Sequence, residues 1–145
     1  MSTIAGISGT TGDTIGTGTG CVMNNPWGMT TLSNGDILYA CRWTHRVRKV
    51  TPAGVCTEWS TASTGVQNLP RTIRYRAADN RVYLVVGDGA AIRYFDAANP
   101  STTTLLVGDA AGTTVGNVDD TGSSARIYVK GFAISESTSL MYLAE

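Results

Sequence analysis

The strongest constraint on this chain is that it nearly repeats itself. Pro26-Trp27-Gly28-Met29, Asn34-Gly35-Asp36-Ile37-Leu38-Tyr39 and His45-Arg46-Val47-Arg48-Lys49-Val50 return twice in degraded form. Pro70 and Tyr83 lie 44 residues after Pro26 and Tyr39, and Gly131 and Tyr142 lie 103 after Gly28 and Tyr39. The units are made of short β-type segments. A period in the forties means that each unit buries its apolar faces only against its neighbours.

The first unit reads as four antiparallel strands. An innermost strand over 28–32 meets Asn34-Gly35, a pair that predicts a tight primed turn because both residues tolerate positive φ. Residues 36–41 follow, with Ile37, Tyr39 and Cys41 on one face and Leu38 and Ala40 on the other; apolar on both, the strand is predicted to be buried on both. Residues 45–50 alternate, Val47 and Val50 flanking arginines whose heads are expected outward. After the Thr51-Pro52-Ala53-Gly54 turn, residues 55–60 form the outer strand. The second unit places strands at 72–76, 81–86, 91–95 and 102–107, with its second-to-third turn one residue longer than in the first. Strands at 131–135 and 140–144 make half of a third unit. Two Gly/Thr-rich connections, 7–24 and 109–126, copy one another, and so do the segments before them, Thr3-Ile4-Ala5-Gly6 and Leu105-Leu106-Val107-Gly108.

This inventory predicts an all-β fold of the β-propeller type, with an incomplete ring in one chain. An outer strand over 2–6 precedes a first blade at about 27–60, a second at about 70–108 and a half blade at about 127–145. The outer strand of one blade leads into the inner strand of the next, so 2–6 is expected to belong to a preceding blade. Either a longer protein or self-association completes such a ring, two copies giving six blades. The opening Met1 leans toward association.

Composition narrows the function classes. Eleven acidic and eleven basic residues cancel, and the charged fraction, 15%, is low against about a quarter in typical domains. No field is present to gather nucleic acid or an anionic membrane. Nine of the eleven cations are arginine. No apolar run reaches the roughly 18 residues of a membrane span, and no signal peptide opens the chain, so a cytoplasmic or virion-associated location is expected. Cys21, Cys41 and Cys56 show no CxxC spacing and read as buried free thiols of a reduced domain, with a pairing of two of them left open.

The run from Pro26-Trp27-Gly28 through Asn34-Gly35-Asp36-Ile37-Leu38-Tyr39 to His45-Arg46-Val47-Arg48-Lys49-Val50-Thr51-Pro52-Ala53-Gly54 resembles an NHL repeat. The likeness is specific in the first unit, moderate at Met141-Tyr142-Leu143-Ala144-Glu145 and faint in the second unit. The family's acidic residue after the Tyr strand is replaced by Arg42 and Val86 and retained as Glu145, and its Asn before His is Thr44. The resemblance implies a propeller scaffold whose relatives bind protein, RNA or glycan partners on one face. Some relatives are metal-dependent lactonase- or lyase-type enzymes.

Candidate sites follow from residue chemistry. His45 is the single histidine and cannot assemble a zinc site alone; it is read as structural, bracing the second and third strands, together with Tyr39, Tyr83, Tyr142 and Trp27, the last filling the inter-blade core. Asp119 and Asp120, with Asp13 in the first connection, offer hard oxygens for calcium but are also turn formers, so no cofactor is assigned. No phosphate loop and no nucleophile elbow is present. Arg42, Trp43, Arg71, Arg74 and Arg76 form the candidate binding set. Arg74 and Arg76 share strand parity, and salt bridges to Asp36, Asp88 or Asp96 are the alternative use of these arginines. The expectation is a non-enzymatic binding or structural module, a protein-binding, self-associating component of a larger assembly such as a virus particle or tail. The alternatives are a metal-dependent propeller enzyme and an RNA- or glycan-binding module, nucleic acid being disfavoured by the neutral charge.

Overall fold

In a computed structural model, which describes residues 3–60 and 68–144, the chain is all-β and forms several antiparallel sheets. The first sheet contains β1 (Gly16–Thr17), β2 (Pro26–Thr31), β3 (Ile37–Cys41), β4 (Arg46–Val50) and β5 (Val55–Glu58), in the order β1-β5-β4-β3-β2. The second contains β6 (Ile73–Arg76), β7 (Arg81–Val86), β8 (Ala91–Asp96) and β9 (Asn99–Gly108), in chain order. A hairpin of β10 (Gly131–Ile134) and β11 (Met141–Ala144) follows. β2 lies beside β6 and β6 beside β10, so the first strands of successive units are neighbours.

Two expectations at the start of the chain need correction. The first unit has five strands rather than four, because Gly16 and Thr17 of the first connection pair with Cys56 and Val55. No strand forms over residues 3–6, and Ser2 lies outside the described residues, as do Met1 and Glu145. The Gly6 N–H donates to the Gly18 carbonyl at 3.1 Å, so this segment bonds to the connection and not to a sheet. The two connections do repeat one another. Isolated bridges Thr14↔Val22 and Val118↔Arg126 stand 104 residues apart, each around a short 3₁₀ turn, Gly18–Gly20 and Gly122–Ser124.

The interior is set by the alternation along β3 and β7. Leu38, Ala40, Val47 and Trp59 of the first unit pack with Ile73, Val82, Leu84, Val86, Ala91 and Phe95 of the second in one buried cluster. Trp59 meets Phe95 edge to face at 5.3 Å. The opposite face of the first sheet gathers Tyr39, Cys41, Val50 and Cys56 with Cys21 of the connection. The opposite face of the second sheet packs Tyr83, Val85 and Ile92 against Val129 and Phe132. β3 and β7 are therefore buried on both faces, as their apolar runs predict.

The register corrects the alignment of the repeats. Cys41 pairs with Arg46 and Val86 with Ala91, so the turns 42–45 and 87–90 are equal in length, and the expected extra residue in the second unit is not there. Counting back from these turns, Tyr83 is equivalent to Leu38 and Leu84 to Tyr39. The tyrosines 44 residues apart thus face opposite ways relative to the chain's advance. By the same count Cys41, not Arg42, stands where Val86 does. The Asn34-Gly35 turn also differs. Leu32 N–H donates to the Asp36 carbonyl at 2.8 Å across three residues, and only Gly35 has positive φ, while Asn34 Oδ1 accepts from the Asp36 N–H. A type I turn with a glycine in the left-handed position serves in place of a two-residue primed turn.

Arg48 was expected outward but is buried, its Nη2 2.9 Å from Asp13 Oδ1 and its Nε 3.7 Å from Glu58. The cysteine expectation is overturned in the same region. Cys21 and Cys56 form a disulfide closing 35 residues of chain, and Cys41 alone is free and buried. The connection folds back on the sheet to pair with β5, and this brings Cys21 to Cys56. On a chain-entropy account the crosslink stabilises the fold by about 3–4 kcal/mol. Thiol titration in denaturant is expected to find one reactive thiol per chain before reduction and three after it, with a lower thermal midpoint for Cys56→Ser. Three thiols without reductant would contradict the bridge.

Burial, with Cys41 beside it, pushes the Tyr39 hydroxyl up to about 12, and burial pushes the Cys41 thiol up to about 11. Both groups are neutral when protonated and both folded pKa values are raised. Their contribution to stability is therefore whole below the unfolded values and is lost as pH rises through about 11 to 12. In an alkaline absorbance titration Tyr39 should ionise only near pH 12, together with loss of the fold. A single transition of all six tyrosines near the unperturbed value of about 10 would overturn its burial.

Candidate functional site

One edge of the sheet stack collects the lead-in to each first strand and the turn between the second and third strands. Trp27 sits at the start of β2, Arg42 and Trp43 in the turn 42–45, Arg71 just before β6, and Asp88 in the turn after β7. Gly28 makes their approach possible. A Cβ there would stand 2.4 Å from the Arg71 carbonyl oxygen, so a side chain would force the two units apart. Asp88 lies between Gly87 and Gly89, and all three residues have positive φ (62°, 59° and 114°). This turn aims the carboxylate back across the sheet boundary.

Asp88 is the hub. Arg42 Nη2 donates to both of its oxygens at 2.8 and 2.9 Å and Arg42 Nε to Oδ1 at 3.1 Å. Arg71 Nε lies 2.8 Å from the same Oδ1, an ion pair whose angle departs from a hydrogen bond. The Arg42 guanidinium stands over Trp43 at 4.5 Å and Trp27 at 5.2 Å, and that of Arg71 over Trp27 at 4.9 Å. Asn25 Oδ1 accepts from the Trp27 indole N–H. Both indoles are 56% exposed. The rim continues past Gly89, whose carbonyl accepts from the Val129 N–H, to Tyr128 and Lys130, the ammonium lying 5.0 Å from the Tyr128 ring.

The structure thus brings together Arg42, Trp43 and Arg71 of the sequence-derived set and separates the other two. Arg74 is exposed and donates to the Ile73 carbonyl; Arg76, at the far end of β6, pairs with Asp79 at 3.3 Å and bonds Ser139. Asp79 also accepts from Tyr83 at 2.6 Å, and burial raises the Tyr83 hydroxyl pKa. Trp27 is a correction: it lies on the rim and not in the core between the two sheets, which Trp59 fills instead. Tyr142 is another, being 60% exposed on the hairpin face turned away from the second sheet. His45 Nδ1 accepts from the Leu69 N–H at 2.9 Å, so it ties the turn 42–45 to the start of the second unit rather than bracing two strands. Asp13 is engaged by Arg48. Asp119 and Asp120 are exposed, Asp120 Oδ1 accepting from the Thr121 N–H, and among the described residues no three His, Cys, Asp or Glu side chains gather as a metal site would need. Of the three carboxylates that the sequence offers as partners for these arginines, Asp88 is the one that Arg42 and Arg71 share, while Gly28, Tyr128 and Lys130 are absent from the sequence-derived set. The legible signal was Gly87-Asp88-Gly89, a turn former at the position that Arg42 and Trp43 occupy one unit earlier.

No protein-family model and no curated protein matches the chain. Among solved structures, an auxiliary nutrient binding protein from Bacteroides ovatus is similar over 81% of this chain, with a TM-score of 0.63 and 17% identity. A streptogramin B lyase and the PQQ-bound aldose sugar dehydrogenase from Streptomyces coelicolor, both propeller-type, are each 23% identical over 56% and 64% of the chain, with TM-scores of 0.45 and 0.46. This chain spans 29%, 26% and 31% of those three chains, less than a third of each. At such identities the likeness concerns the fold.

Replacing Asp88 by Asn keeps a residue that tolerates positive φ but removes the shared charge. Because the carboxylate is partly exposed, Asp88→Asn is expected to cost about 1–2 kcal/mol in urea unfolding and to release the exposed tryptophans, seen as a fluorescence shift. An unchanged midpoint and spectrum would remove Asp88 from its place as hub.

Proposed function

We propose that the chain is a run of NHL-like propeller blades, two whole and one represented by its first hairpin, that serves as a non-enzymatic binding and structural module completed by another chain. The observation that supports this reading is the repeated inter-unit packing, with two apolar faces left outside it. On one side, Ile4, Met29, Ile37, Tyr39 and Val50 line an open cleft of about 280 Å³. Met29 is 66% exposed there. On the other side, Tyr142 and Leu140 project from the hairpin face turned away from the second sheet. Exposed apolar surface of this kind marks interaction sites. Within the chain, a forward face (Leu38, Ala40, Val47) always meets a backward face (Leu84, Val86). The matching occupant of the cleft is therefore the outward hairpin face of a second copy, a head-to-tail contact that closes into a ring.

The Gly/Thr-rich, lysine-poor composition suits a component of a larger assembly such as a virus particle or tail. The disulfide supports an oxidising surrounding over the cytoplasm. Light scattering after size exclusion at roughly 50 µM is expected to give at least twice the 15.2 kDa chain mass, falling toward one chain for Tyr142→Asp or Met29→Asp. A cooperative folded monomer of 15.2 kDa would refute completion by a second copy.

A further inference from the structure

The rim carries more than a latch between two sheets. Two cations, Arg42 and Arg71, stand around one carboxylate, Asp88, and a third, Lys130, lies farther along the rim against Tyr128, while the chain as a whole is neutral. The excess positive charge is therefore local. Two half-exposed indoles border it, and Tyr128 extends the aromatic surface. The guanidinium of Arg42 is held by three contacts to Asp88 and by two rings, so its rotamer freedom is spent in folding and not on binding.

We propose that this rim binds an acidic saccharide, a sugar bearing a carboxylate or sulfate group; the proposal rests on the binding-module reading above. The apolar C–H face of a pyranose ring packs on an exposed indole, as amphipathic aromatic surfaces favour. Its anionic group then reaches the Arg71 and Lys130 side, where charge-assisted hydrogen bonds form. Lys130 has no carboxylate partner among the described residues. A nucleic acid fits less well. Its affinity comes from many phosphates meeting many unpaired cations, and here Arg42 is already neutralised by Asp88 on a chain of zero net charge. The indoles stand on an exposed rim, so modest affinity and fast exchange are expected.

The test titrates the whole chain with oligogalacturonate, oligomannuronate, hyaluronan oligosaccharide and sialyllactose, following tryptophan fluorescence. Trp59, buried in the core, serves as the internal reference. At least one acidic sugar is expected to quench saturably with a Kd between about 10 µM and 1 mM. Methyl esterification of its carboxylates should weaken binding about fivefold or more, and so should Lys130→Gln. Trp43→Ala, an exposed turn position, should weaken it about tenfold while lowering the thermal midpoint by no more than about 4 °C. Overturning results are no saturable change with any of the four sugars, equal binding of the ester, or tighter binding of poly(U) RNA. The mass measurement is independent of these titrations: a monomer that binds the sugar sinks ring completion alone, and an oligomer that binds none sinks the saccharide site alone.

Discussion

The face-to-face contact of the first and second sheets is the constraint on which the other features depend. Each sheet is made of local hairpins and could hold its strand order alone, yet β3 and β7 are apolar on both sides and cannot both be satisfied by one sheet. Joining them buries Leu38, Val47, Trp59, Ile73, Leu84, Val86 and Phe95 together. Fully burying such side chains contributes about 1.5–3 kcal/mol each, against about 0–1 kcal/mol for a partly exposed ion pair. The apolar contact therefore drives the association of the sheets. The Arg42–Asp88–Arg71 cluster fixes their register at the rim.

The connections are structural parts and not spacers. In both units a buried third-strand arginine reaches into a connection: Arg48 to Asp13 in the first, and Arg93 to the Ala110 carbonyl in the second. Counting from the equivalent turns, these arginines hold the same place in their sheets. A buried cation needs a partner, and a folded-back connection supplies one, its glycines permitting the reversal without steric strain. The first connection is further pinned by its disulfide and by β1. The second has no cysteine, and its Asp109 caps the turn at Thr113 and Thr114 instead, backbone N–H donors holding that carboxyl well below the usual range.

Much of this was legible in the sequence because the repeat is written in strand alternation and in glycine-marked turns. The strands of both units appear within a residue or two at most of their ends, β9 being longer by three at its start. Alternation, however, records parity and not direction, so Tyr39 and Tyr83 looked equivalent when only the turn lengths could show that they are not. The same limit hid Arg48, since an arginine flanked by valines reads as outward until a connection covers it. The disulfide was invisible because Cys21 and Cys56 belong to no spacing motif; they meet only after the chain doubles back. At the rim, Arg42, Trp43 and Arg71 could be listed as chemistry-bearing residues and Asp88 as one of three possible partners, but the choice among the three depends on the sheet contact that brings Arg42 to a turn 46 residues away.

The rim and the lateral faces answer different physical demands. Lateral faces alternate Leu, Val and Ile, and their only satisfactory solvent is another face of the same kind, so repetition along the chain extends until something caps it. The rim is built from strand lead-ins and turns, where side chains leave the pleat and are free to vary without disturbing the stack. Asp88 links the two sheets at the rim. Its left-handed conformation between two glycines is tolerated because the carboxylate binds arginines from two units at once. Strain of this size, about 1–3 kcal/mol, persists only where neighbouring structure over-determines it. The packing of Gly28 against the Arg71 backbone provides that determination. Any change that separates the two sheets therefore dissolves the rim as well. The surface that displays Trp27 and Trp43 is a property of the assembled pair and not of either unit.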